Sequence, residues 1–179
     1  PPAPRAGRPP ARAGGRAGGG VGRPADAGVV AGAGALALLL KQHAAAASAD
    51  ELAFLLTPTA WLVELVSGYA FPFERGSGPM NRELAIVIAP SCAGTNYAVV
   101  AFTSLVAGFV TRFRSLRHKL AFALAAGAAA YCATLLVNGL RVLVTIHSRD
   151  GALADAGLGA AAVHRAEGVV IYLGSLFAL

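Results

Sequence analysis

The sequence predicts an all-α integral membrane protein of about four transmembrane helices, with an extracytoplasmic segment, an interfacial helix and a short strand, before the second span. Three observations predict it. Of 179 residues, 56% are hydrophobic and 13% charged, where a soluble domain carries roughly a quarter charged residues. The apolar residues, with a mean hydropathy of +0.61, gather into runs near the ~20 helical residues that cross a hydrocarbon core. The cations cluster in two places, Arg5, Arg8, Arg12, Arg16 and Arg23 near the start, and Arg112, Arg114, Arg117 and Lys119 between two apolar runs. A formal charge of +6 distributed in this way reads as membrane topology, not as a nucleic-acid surface. Membrane lipid is the expected surround, and no nucleic acid is expected as a partner.

Residues 1–26 are rich in Arg, Gly, Pro and Ala. Such a composition cannot bury a core and is expected to stay disordered. The sequence opens without Met, as expected of a fragment or of a chain whose true start lies upstream. Residues 27–179 form the second unit, which is membrane-embedded. Its first apolar run is Ala27 to Leu40, extendable toward Val21 and expected to be a span. A signal peptide is the rival reading, since the arginines before it resemble a charged leader region. Leu52 to Phe73 contains Pro58 and Glu64, a break and a carboxylate that is costly in lipid. It is therefore expected to lie outside the bilayer as an interfacial helix. A turn-rich stretch, 73–79, follows. Glu83 to Ala89 reads as a short strand lying against the membrane surface.

Three further spans are expected: Ala93 to Thr111, Leu120 to Ile146, and Ala160 to Leu179. The loop holding Arg112, Arg114, Arg117 and Lys119 has no acidic residue and is assigned to the cytoplasmic side by the positive-inside rule. The N-terminus then lies on the same side, and Lys41 to Ser91, with five acidic and three basic residues, lies outside. Counting from the cytoplasmic loop at about 1.5 Å per residue, Cys92 stands roughly 28 Å up its helix and Arg141 roughly 32 Å up the next. His164 enters the last span from that same outer face.

Three reactive residue types thus converge at one level. Cys92 follows Pro90 and Ser91 where a helix is expected to begin, and unsatisfied N–H groups there favour a thiolate. Its alternative is a small buried apolar cysteine. Cys132, among alanines at mid-membrane, fits that second role and lies too deep to pair with Cys92, which argues against thiol-oxidising chemistry. Arg141 lies within or just under the interface, where an arginine either serves a function or snorkels to the headgroups. Asn138, three residues earlier on the same helical face, can orient it. His164 suits proton transfer near neutral pH, with Glu167 able to hold its ring, or it is an ordinary interfacial histidine. His147 is a reserve candidate. The sequence holds no metal-ligand constellation and no phosphate-binding Gly-rich loop, so neither metal nor cofactor is expected.

Three stretches, Ala89-Pro-Ser-Cys-Ala-Gly-Thr-Asn-Tyr97, Asn138-Gly-Leu-Arg141 and His164-Arg-Ala-Glu-Gly-Val-Val-Ile-Tyr172, resemble in order and spacing the Cys, Asn-x-x-Arg and His motifs of the exosortase/archaeosortase family. The Pro-Ser-Cys-Ala-Gly and His-Arg-x-Glu-Gly forms are most similar to exosortase K. The resemblance covers roughly residues 57–179. It implies a bacterial inner-membrane cysteine peptidase or transpeptidase that cuts C-terminal sorting signals of exported proteins and passes the acyl group to water or a cell-surface acceptor. Cys92, Arg141 and His164 would be catalytic, with Asn138, Asn96 and Glu167 supporting them. Fewer spans than in the longer exosortases agree with the compact K-type, and the last helix is expected to continue past Leu179. A non-catalytic membrane scaffold or small transporter component, with Asn138 and Arg141 lining a polar path, is the alternative reading.

Overall fold

The computed structural model describes residues 24–149 and 168–176. Three of its helices are long and apolar enough to cross a membrane, Pro24–Ala46, Pro90–Arg112 and Leu116–His147. Of the expected fourth span, 160–179, residues 168–176 are helical and the remainder lies outside the described residues.

Helix α1, Pro24–Ala46, is longer at both ends than the expected 27–40. Proline at the first helical position forfeits only an N–H that has no partner there. Residues 24–26, expected to belong to the unstructured N-terminus, are instead the first turn. The reason is Asp26, whose carboxylate meets the Lys119 ammonium in a buried ion pair across 93 residues of sequence. Lys119 is 1% exposed and Asp26 6%. Lys119 is therefore no loop cation: it lies in the first turns of helix α4, Leu116–Arg149, neutralised by α1. Burying either charge alone would be prohibitive, so the pair fixes the two helix N-termini at one end of the bundle. Ala33 and Ala126, each seven residues further along, meet in the same small apolar cluster with Val106 and Val110.

Between α1 and the next helix, Ser48 and Glu51 form a reciprocal cap. The Glu51 carboxylate accepts from the Ser48 N–H and hydroxyl, and the Glu51 N–H donates to that hydroxyl, the capping-box arrangement. These bonds from Ser48, its backbone N–H first, hold Glu51 below the usual carboxylate range.

Helix α2, Ala53–Ser67, runs unbroken through Pro58, contrary to the sequence reading. Proline cannot donate to the carbonyl four residues back, here Phe54. That oxygen instead accepts the Tyr131 hydroxyl of α4 at 2.7 Å. A Cβ on Gly139 of α4 would touch Leu62 at 3.7 Å. Phe54 to Leu62 and Tyr131 to Gly139 are equal intervals, so α2 runs beside α4 in the same direction instead of lying flat across it. Leu55, Leu56, Ala60 and Val63 are buried with Val142 and Ile146, while Phe54, Trp61, Leu65 and Val66 are exposed. Glu64 is accommodated because its carboxylate accepts the Phe71 N–H.

Beyond α2 the chain forms a three-stranded antiparallel meander, β1 Phe73–Glu74, β2 Gly78–Asn81 and β3 Ile86–Val87, in that order. The expected strand over 83–89 is thus reduced to two residues, because 82–85 form a turn. Asn81 builds that turn, accepting from the Leu84 N–H and donating to the Ala70 carbonyl. The stretch read as turns supplies the other two strands. A tight turn, Pro90–Cys92, leads into α3, Thr95–Phe109, which ends in a second such turn, Val110–Arg112. Helix α3 descends antiparallel to α4: Gly127 meets Phe102, and Phe122 meets Phe109.

Candidate active site

Cys92 ends the turn Pro90–Cys92, and Gly94, at φ 72, separates it from the first turn of α3. The sulfur therefore stands just before the α3 N-terminus instead of within its first turn. The loop is pressed onto α4. A Cβ on Gly94 would lie 2.9 Å from Thr134 Cγ2 and 3.6 Å from Asn138 Cγ, so only glycine permits both this conformation and this approach. Thr134 and Asn138 are each 1% exposed, and Thr134 turns its hydroxyl back to the Ala130 carbonyl at 2.6 Å. Cys92 itself is half-buried, with the Ser91 hydroxyl 4.0 Å from its sulfur.

Asn138 is the hub. Its Nδ2 donates to the Cys92 carbonyl, and its Oδ1 accepts the Tyr172 hydroxyl at 3.3 Å. A carbonyl oxygen only accepts, so the amide orientation is fixed: turning it over would set two acceptors face to face. Tyr172 in turn accepts from Arg141 Nη1 at 3.3 Å, and the Arg141 guanidinium carbon lies 5.7 Å from the centre of the Tyr172 ring, within cation–π range. Gly168, buried on the same short helix, lets that helix reach Arg141, since a Cβ there would stand 3.2 Å from Nε. The Tyr97 ring packs 5.6 Å from that of Tyr172. Tyr97 is buried, and its hydroxyl has no hydrogen-bond partner among the described residues.

Of the residues singled out in the sequence, Cys92, Asn138 and Arg141 are brought to one end of the bundle, linked through Tyr172. Asn96 is exposed on the first turn of α3. His164 and Glu167 lie outside the described residues. His147 donates Nδ1 to the Leu143 carbonyl of its own helix at 2.9 Å and is exposed. Both cysteines are free. Among the described residues no group of three His, Cys, Asp or Glu side chains could hold a metal ion.

The residues missed in the sequence are Tyr172, Gly94, Gly168 and Thr134. Tyr172, Gly94 and Gly168 lie inside the quoted motif stretches, but nothing in a single sequence marks a tyrosine as a bridge. The signal available was the spacing of Gly168 and Tyr172, the interval that repeats on one helix face. One turn of α3 below Cys92, an apolar cavity of about 330 Å³ lies between α1, α2, α3 and α4, with Leu40, Leu55, Thr95, Val99, Phe102 and Leu124 among its walls. No protein-family model, no curated protein and no solved structure matches this chain.

Proposed function

We propose that this chain is a membrane-embedded cysteine peptidase or transpeptidase that cuts C-terminal sorting signals from exported proteins, as its exosortase-like motifs imply. The observation that carries this reading is the bond from Asn138 to the Cys92 carbonyl, continued through Tyr172 to Arg141. It joins residues of all three motif stretches at the end of the bundle opposite the connection between α3 and α4, which carries Arg112 and Arg114. With that connection cytoplasmic in a bacterial inner membrane, the site faces the extracytoplasmic side, where an exported substrate anchored by its own helix arrives. The apolar cavity beside α3 suits contact with such a helix.

In the reaction, the Cys92 thiolate attacks the scissile carbonyl, forming a carbon–sulfur bond and a tetrahedral oxyanion that Arg141 stabilises. Collapse breaks the carbon–nitrogen bond, and the leaving amine takes a proton from the His164 imidazolium. A water, amine or hydroxyl then gives its proton to the imidazole and attacks the thioester, releasing the Cys92 thiolate.

The test is co-expression with an exported reporter carrying a C-terminal tail of short motif, apolar helix and basic end. Wild-type protein releases the tail; Cys92→Ala, equally well inserted, leaves it attached. Release at the same rate by Cys92→Ala overturns the assignment.

A further inference from the structure

We propose that Tyr172 is the positioning residue of this site, holding the Arg141 guanidinium in register with Asn138 and, through it, with the loop that carries Cys92. The inference rests on the peptidase reading for its purpose but on independent geometry for its content. Three hydrogen bonds run head to tail, Arg141 to Tyr172, Tyr172 to Asn138, and Asn138 to the Cys92 carbonyl. Each donor polarises the next bond, so the chain is stronger than its separate members. Without the hydroxyl, Arg141 loses one fixed direction and Asn138 Oδ1 loses its donor.

Two further features favour a positioning role over simple packing. The Tyr172 ring is already held by Tyr97 on one side and lies within reach of the guanidinium on the other, so its hydroxyl is delivered to a set place. Gly168 leaves room for the guanidinium, since a Cβ there would press on Arg141 Nε at 3.2 Å. The face of the short helix formed by Gly168 and Tyr172 is thus shaped around one cation. A residue needed for packing alone would be served as well by phenylalanine.

The experiment uses the full chain in native membranes with Cys132→Ser, so that one thiol remains. The rate of Cys92 alkylation by a small maleimide is followed against pH in four proteins: this background, Arg141→Gln, Tyr172→Phe and the double variant. On this proposal the Arg141 cation acts on the sulfur as well as on the oxyanion, and a cation so placed favours the thiolate. Arg141→Gln therefore moves the profile to higher pH, Tyr172→Phe moves it in the same direction, and the double variant moves no further than Arg141→Gln. Gly168→Ala, acting from the other side, shifts it likewise. A Tyr172→Phe profile that coincides with the background overturns the proposal, as does an Arg141→Gln profile that does. Reporter cleavage is read in parallel, where Tyr172→Phe slows release about tenfold or more, the scale of a lost hydrogen bond to a charged group. Cleavage that survives Cys92→Ala would defeat the peptidase reading while the alkylation profiles still decide the role of Tyr172.

Discussion

At the scale of single residues, the site depends on side chains that permit close approach as much as on those that react. Gly94 is the clearest case. Its left-handed backbone and its position against Thr134 predict that Gly94→Ala costs about 1–3 kcal/mol in backbone strain alone and lifts the Cys92 loop off Asn138. The measurements are the thermal unfolding midpoint in detergent and the rate of reporter cleavage, and both should fall. Unchanged values would mean that the loop does not need its seat on α4. Cys92, Asn138 and Arg141 were legible in the sequence because polar groups inside apolar runs stand out against their neighbours. Tyr172 was not. Nothing local in the sequence marks a tyrosine within a span as a bridge, and only its bonds to Arg141 and Asn138 reveal its part.

At the scale of elements, helix existence was legible and helix ends were not. The apolar runs located α1, α3 and α4, but Pro58 misled because the donor that replaces its missing N–H comes from another helix. Tyr131 supplies that donor to Phe54. Tyr131→Phe should destabilise the protein by about 1 kcal/mol, the net worth of one hydrogen bond to an exposed carbonyl. Adding Pro58→Ala restores an N–H at the right place and should recover most of the loss. Thermal unfolding of the two single variants and the double variant measures it, and additive losses would show that Tyr131 acts by packing instead. The strand over 83–89 shrank for a related reason: its run of apolar residues was visible, but the turn that Asn81 builds with Leu84 competes for the same backbone.

At the scale of the whole molecule, one buried ion pair sets the arrangement of the spans. Asp26 and Lys119 tie the start of α1 to the start of α4, so α1 begins at the end of the bundle where α3 gives way to α4, while Cys92, Asn138 and Arg141 gather at the far end. The positive-inside count had placed Lys119 among the loop cations, whereas it is buried against Asp26. The sequence could not show otherwise, since a partner 93 residues away leaves no local trace. Lys119→Met should cost about 3–5 kcal/mol by stranding the Asp26 carboxylate, whereas Asp26→Leu with Lys119→Met should be near neutral. Unfolding midpoints that fall equally in both would remove the ion pair from its organising role. The reactive end gives the decisive test of what the fold is for. Wild-type protein recovered from cells making the tailed reporter is digested, and the peptide containing Cys92 is weighed. An acyl adduct of the mass of the reporter's new C-terminus, joined at the sulfur and released by hydroxylamine, is the predicted result. Abundant cleaved reporter with the adduct on no cysteine, or on Cys132, would contradict it.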